Sequence, residues 1–179
     1  MPITPIHCSI AYLARAVKPQ LSLPALLVST MAPDLEIPFI YVITRGQYSR
    51  LALHSVLGAV TLATMLAIFL TVFVYSPLIS YLFKLDNKIV RERCRFSWSM
   101  GAVCLMGSLS HVLIDAMHHE YNPLLFPFSY DSFDSLVLMN DWSSASVIIP
   151  ILLLALLGFF AGKEVTMGTK NIWKRLLVE

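Results

Sequence analysis

Charge is scarce in this chain. Asp, Glu, Lys and Arg supply 13% of its 179 residues, about half the share usual in a soluble globular domain. Apolar residues reach 57% and mean hydropathy is +0.71, which excludes an ordinary water-soluble domain and predicts an integral membrane protein. Cysteine is thin as well. Cys8, Cys94 and Cys104 are odd in number and lack Cys-x-x-Cys spacing, so neither a disulfide framework nor a zinc knuckle is indicated, and they read as small apolar filler. The net charge is only +2, and the basic residues lie between apolar runs rather than in a stripe. Nucleic acid is therefore not an expected partner. The opening residues, MPITPIHCSI, have no basic n-region and carry a histidine where a signal peptide would be apolar. They are expected to be retained. No internal repeat or low-complexity tract is present.

The apolar runs predict an all-α integral membrane protein. Its single domain, residues 1–179, would be a bundle of about four to five transmembrane or partial helices, with candidate elements at 3–17, 21–43, 51–75, 98–118 and 145–162. The first, with Thr4 as N-cap and Pro5 at the first helical position, is short of the roughly twenty residues a full span needs. It reads as a partial span or a tilted, buried segment. The second is broken: its middle reads MAPDLEIP, with Asp34 and Glu36 between Pro33 and Pro38. Irregular backbone at membrane depth survives only when buried in protein or lining a polar cavity, so the break points to a site. The plainer alternative is a loop between two short helices, with Asp34 as a cap. The third carries His54 in its first turn, and residues 77–83 extend it as a kinked or interfacial piece.

Loop charge orients these elements. Residues 84–95, read as a loop, hold five Lys or Arg against two acids, and the tail from Lys163 is basic too. Residues 120–144 hold four acids and no Lys or Arg. By the positive-inside rule the first two face the cytoplasm and the third lies outside. Arg45 and Arg50 are exceptions on the outer side.

The stretch WSMGAVCLMGSLSHVLIDAMHHEYNPLLFP, residues 98–127, carries His111, Asp115, His118 and His119. At 3.6 residues per turn His111 and Asp115 share one helix face. Ionisable groups in a span are costly, and function is their default explanation. The loop-derived topology brings His7, Asp34 and His54 to the same outer depth, so all five histidines of the chain gather there. Imidazole and carboxylate together suit a divalent metal such as zinc, and also manganese or iron, while calcium would prefer oxygen alone. Taken singly, several have plainer readings. His7, His118 and His119 could be solvated, His54 could cap its span, and His111 with Asp115 could be a hydrogen-bonded pair between helices. One of His118 and His119 is expected to be a bystander. The small residues Gly101, Gly107, Ser108 and Ser110 read as helix-packing positions near His111.

Thr4-Pro5-x-His7, Ala32-Pro33-Asp34, His54-Ser55, His111-x-x-x-Asp115 and Asn122-Pro123-Leu124-Leu125-x-Pro127-Phe128 together resemble the prokaryotic membrane-bound metal-dependent hydrolases, over about residues 3–130. The order of ligands is similar to that of the zinc-dependent phospholipases C and the fungal zinc single-strand nucleases. That likeness implies one zinc on Asp34, His54, His111 and Asp115. It implies Asp115 as a bridge to a second metal that also takes His7, with His118 or His119 serving a further one. Those phosphodiesterases also use a processed N-terminal tryptophan and a second His-x-x-x-acid helix. Here the chain begins with Met1 and no histidine follows His119, so one or two ions are expected.

The resulting expectation is a multi-pass cell-membrane hydrolase with its site on the extracytoplasmic side. It would act on a phosphoester of a membrane lipid or another membrane-proximal molecule. Asp34 would serve as general base where it is not fully committed as a ligand, and Arg45 and Arg50 would hold phosphate or simply anchor at the interface. The alternative is a non-enzymatic membrane protein: a metal-ion or proton-coupled carrier, or a scaffold.

Overall fold

The computed structural model describes residues 4–179. Every regular element among the described residues is helical. A short 3₁₀ turn, Thr4–His7, leads into α1, Cys8–Val17. Helix α2, Leu23–Ser29, is followed by a 3₁₀ turn, Ala32–Glu36, and by α3, Ile37–Ile43. Helix α4 runs through Val56–Phe83 and α5 through Asn87–Arg93. Helix α6, Trp98–Ala116, and α7, Trp142–Thr166, are the other long ones, and α8, Ile172–Leu177, closes the chain. Ile3, in the first candidate element, lies outside the described residues.

Three of these helices, α4, α6 and α7, are long and apolar enough to cross a membrane, and α2 with the segment Ala32–Ile43 makes a fourth if the bent pair is one span. Several boundaries differ from expectation for local reasons. Helix α4 starts at Val56 rather than Leu51, because Ser55 caps it by accepting from Gly58 N–H. Residues 51–54 are left outside as non-helical backbone, so His54 precedes the helix instead of sitting in its first turn. At its far end α4 continues unbroken to Phe83. Wider i→i+5 turns at Leu70–Tyr75 lead directly into Ser76–Phe83, where Pro77 lacks a donor. The basic stretch 84–95 is not a plain loop: Asp86 accepts from Lys88 N–H and starts α5. Helix α7 begins three residues early, where Asp141 accepts from Ser143 and Ser144 N–H.

Helix α2 is the inner element, with all seven of its residues buried. It packs on α6, Leu23, Leu26 and Leu27 joining Met100, Val103 and Cys104 in one core. The approach is close. A Cβ on Gly107 of α6 would collide with the Ser29 side chain of α2, so the absence of a side chain there sets how near the helices come. Helices α4 and α7 instead turn large apolar side chains outward, with Phe73 66% and Phe159 65% exposed, as a lipid-facing helix would.

The two ends of the bundle differ. At one end Arg15 donates to the Leu21 and Glu179 carbonyls, Tyr12 to the Leu176 carbonyl, and Ser22 to the Arg93 carbonyl. The basic segments therefore meet near the start of α6. Along that helix, at 1.5 Å per residue, His111 lies about 20 Å and Asp115 about 25 Å away.

Candidate metal centre

The break after α2 prepares the site. Thr30 ends the helix, and the chain bends by 42°. Its carbonyl would next pair with residue 33 or 34, but Pro33 has no N–H and Asp34 N–H turns to the Met31 carbonyl. The Thr30 carbonyl is thereby free to accept the Nδ1 hydrogen of His111 at 2.8 Å. Pro33 and Pro38 sit in the first turns of the segments they open, where proline is well tolerated. Asp34 does not cap a helix. Its carboxylate turns to His54 and His111.

Four ligand atoms converge there. Asp34 Oδ1 lies 3.3 Å from His54 Nε2 and 3.4 Å from His111 Nε2. The two Nε2 atoms are 3.4 Å apart, and Asp115 Oδ2 is 3.5 Å from each. All four residues are buried. The two histidines are oriented alike. His54 Nδ1 donates to Glu36 Oε1 at 2.7 Å, as His111 Nδ1 does to Thr30, leaving each Nε2 turned inward. A carbonyl or carboxylate holding the outer nitrogen is the usual way a metal-ligating imidazole is fixed in tautomer and direction.

Asp115 has two faces. Oδ2 serves the group above and lies 3.2 Å from Arg50 Nε. Oδ1 lies 3.2 Å from His7 Nε2 and 3.5 Å from His119 Nε2. Asp115, His118 and His119 form a second set of potential ligands within 4.8 Å of one another. His118 is 1% exposed and donates Nδ1–H to the Ile114 carbonyl. Burial and the neighbouring His119 push its imidazole down to about 4, and burial lowers His119 too. His118 is thus buried and His119 half-buried beside Asp115, so neither is freely solvated. Asn122 secures this end of α6 by donating to the Ala116 and His119 carbonyls.

The residues fit a cation. Among the described residues, nine buried side-chain polar atoms lack a hydrogen-bond partner, and seven belong here: both His7 nitrogens, Asp34 Oδ2, Arg50 Nε, both Asp115 oxygens and His118 Nε2. Buried polar atoms are seldom left unsatisfied, and an ion is one of the standard explanations. The spacing agrees. Four ligands placed tetrahedrally around an ion at 2.0–2.1 Å stand about 3.3–3.4 Å apart. The buried Asp/His cluster could thus hold a metal ion.

Of the residues singled out from sequence, His7, Asp34, His54, His111, Asp115, His118 and His119 come together, and so does Arg50, which is 8% exposed. Arg45 does not. It is exposed beyond α3 with left-handed backbone (φ 53°), and no contact brings it to the cluster. In the sequence Glu36 stands out only as a neighbour of Asp34 between two prolines. Its role depends on backbone N–H groups at 51–54 that no residue pattern announces. A cavity of about 780 Å³ is lined by Tyr41, Gln47, Tyr48, Ser49, Glu120 and Tyr121. Ser49 and Glu120 on its wall are sequence neighbours of Arg50 and His119.

An all-helical chain with apolar spanning-length helices and one buried His/Asp cluster is the class that this architecture defines. A family model described as a domain of unknown function (DUF4184) matches residues 1–130, and the chain belongs to that family. Every residue of the cluster falls within the matched part. No curated protein and no solved structure matches the chain.

Proposed function

We propose that this chain is a cell-membrane, metal-dependent hydrolase. It would cleave a phosphoester of a membrane lipid or another membrane-proximal molecule at the extracytoplasmic face. The observation that carries the reading is the convergence of the Asp34, His54, His111 and Asp115 ligand atoms at separations of 3.3–3.5 Å about the two Nε2 atoms, with Asp115 turning its other oxygen to a second histidine set. Two nitrogens and two oxygens at these spacings suit zinc better than magnesium, which demands octahedral oxygen ligands. One ion would sit on the first four residues. A second would share Asp115 with His118 and His7 or His119.

A divalent ion bound there would supply Lewis acidity, making water nucleophilic near neutral pH and offsetting phosphoryl charge. The protein's own groups divide the remaining work. Asp34 keeps Oδ2 free of hydrogen bonds, which leaves it able to take a proton as general base. Arg50 brings a permanent positive charge to the edge of the cluster, donating to His119 Nε2 at 3.1 Å, and would hold a phosphoryl oxygen. The tyrosine-lined cavity would take the rest of the substrate. The outward orientation rests on the charge asymmetry of the loops, and the lipid assignment on location.

The test is elemental analysis of the purified full chain, with phosphodiester and phospholipid hydrolysis by wild type and Asp115→Ala. Bound metal and turnover that both disappear in the variant are expected. A metal-free wild type, or turnover that survives Asp115→Ala, removes the proposal. Metal uptake into proteoliposomes without hydrolysis would favour a carrier instead. Labelling of Ser129→Cys in intact cells by an impermeant reagent checks the orientation.

A further inference from the structure

Glu36 is buried, 7% exposed, and takes four donors at once. Its Oε1 accepts from Leu51 N–H at 2.8 Å, His54 N–H at 3.2 Å and His54 Nδ1–H at 2.7 Å, while Oε2 accepts from Leu53 N–H at 2.8 Å. Three of these donors are main-chain groups of the non-helical segment 51–54. The fourth is the imidazole whose other nitrogen faces Asp34 and Asp115.

We infer that Glu36 is the positioning residue for His54, fixing both the segment that carries this imidazole and the nitrogen it offers to a metal. The inference rests on the metal-centre reading above. Asp34 and Glu36, two residues apart in one 3₁₀ turn, grip the same ring from opposite sides. Asp34 Oδ1 faces Nε2 and Glu36 Oε1 receives Nδ1–H. Only an acceptor can occupy the Glu36 position, because everything pointing at it donates. The hydrogen bond also holds Nδ1 protonated, so the lone pair is on Nε2 and aimed at the cluster, and a carboxylate partner makes that nitrogen a better ligand. Free of Glu36, the ring could turn over or ligate through Nδ1, and segment 51–54 would lose its anchor. Among the described residues Glu36 makes no hydrogen bond or ion pair to another of the ligand atoms. Its effect must pass through His54.

The experiment uses the detergent-purified full chain. Zinc affinity is measured by competition with a chromophoric chelator, and ligand geometry by the visible spectrum of the Co²⁺-loaded protein, for wild type, Glu36→Gln, His54→Ala and the double variant. Gln retains one acceptor but presents an NH₂ group to donors. Glu36→Gln is expected to weaken zinc binding about 10–100-fold, the range for lost outer-shell partners, and to alter the Co²⁺ bands. In the His54→Ala background the same change should add little, because both act through one ring. Unchanged affinity and spectrum in Glu36→Gln would overturn the inference while leaving the metal centre standing. A wild type that binds neither ion would overturn both. If Glu36→Gln does not fold, the tautomer is read on the zinc-loaded wild type by ¹⁵N-histidine NMR. A His54 ring protonated at Nδ1 and ligated through Nε2 supports the inference, and ligation through Nδ1 overturns it.

Discussion

Arg50 Nε approaches Asp115 Oδ2 to 3.2 Å, yet both atoms lack a hydrogen-bond partner. The contact is one of charge without hydrogen-bond direction, so the guanidinium can balance the carboxylate and still turn to another anion. Arg50→Met is therefore expected to lower kcat/KM for a phosphodiester by about 10–100-fold, equivalent to about 1.4–2.7 kcal/mol of transition-state binding. Arg45→Met, at an exposed position away from the cluster, should stay within about twofold of wild type. Steady-state kinetics on the two variants separates the arginines.

Asp115 is the shared member of both ligand sets, so its loss should empty both. Asp115→Asn is expected to reduce bound metal at least tenfold by elemental analysis, whereas His118→Ala should remove no more than one equivalent. In metal-free protein Asp115→Ala also strands the buried Arg50. Breaking a buried pair in this way costs about 3–5 kcal/mol, readable as a lower thermal midpoint.

Chelation should destabilise the fold, because a ligand that binds only the native state stabilises it by mass action. At free zinc one thousand times Kd the gain is about 4 kcal/mol. EDTA should lower the thermal midpoint of wild type and added zinc should restore it, while Asp115→Ala should show neither response.

Acid should weaken the metal-free protein through His118. The fold holds this imidazole at about 4, below its ordinary 6.5, so folding favours the neutral form. Its contribution is complete above pH 6.5 and is lost as pH falls from there toward 4. The thermal midpoint of the apo protein should drop across that window, and His118→Asn should flatten part of the drop.

The close crossing of α2 and α6 predicts that Gly107→Ala destabilises the bundle by about 1–3 kcal/mol, the usual range for overpacking. Ser29→Gly, which removes the colliding side chain, should restore part of the loss. Thermal unfolding of the two single variants and the double variant makes the comparison.

The spanning-length helices were legible because long apolar runs leave few alternatives, and the cluster because histidine and aspartate in such runs are rare enough to stand out. The His111–Asp115 pair follows from helical periodicity alone. Less was legible where backbone does the chemistry. The Thr30 carbonyl becomes an acceptor through the missing N–H of Pro33, and Glu36 works through main-chain donors at 51–54. Arg50 and Arg45 looked alike in sequence. Only the bend that buries one and leaves the other exposed tells them apart. Helix α5 was hidden because its seven residues, NKIVRER, offer just two apolar positions and depend on the Asp86 cap.

Helix α7 gives the first helix its footing. Ile6, beside His7, packs on Ile149 and Leu153 of α7, a contact that lies beyond residue 130, where the family match ends. A fragment stopping at that boundary would retain every polar group of the cluster but lose the wall behind one of them. The stretch that the family model covers and the mechanically complete unit are therefore different lengths of chain, and any excision meant to isolate the chemistry would have to carry its buttress along.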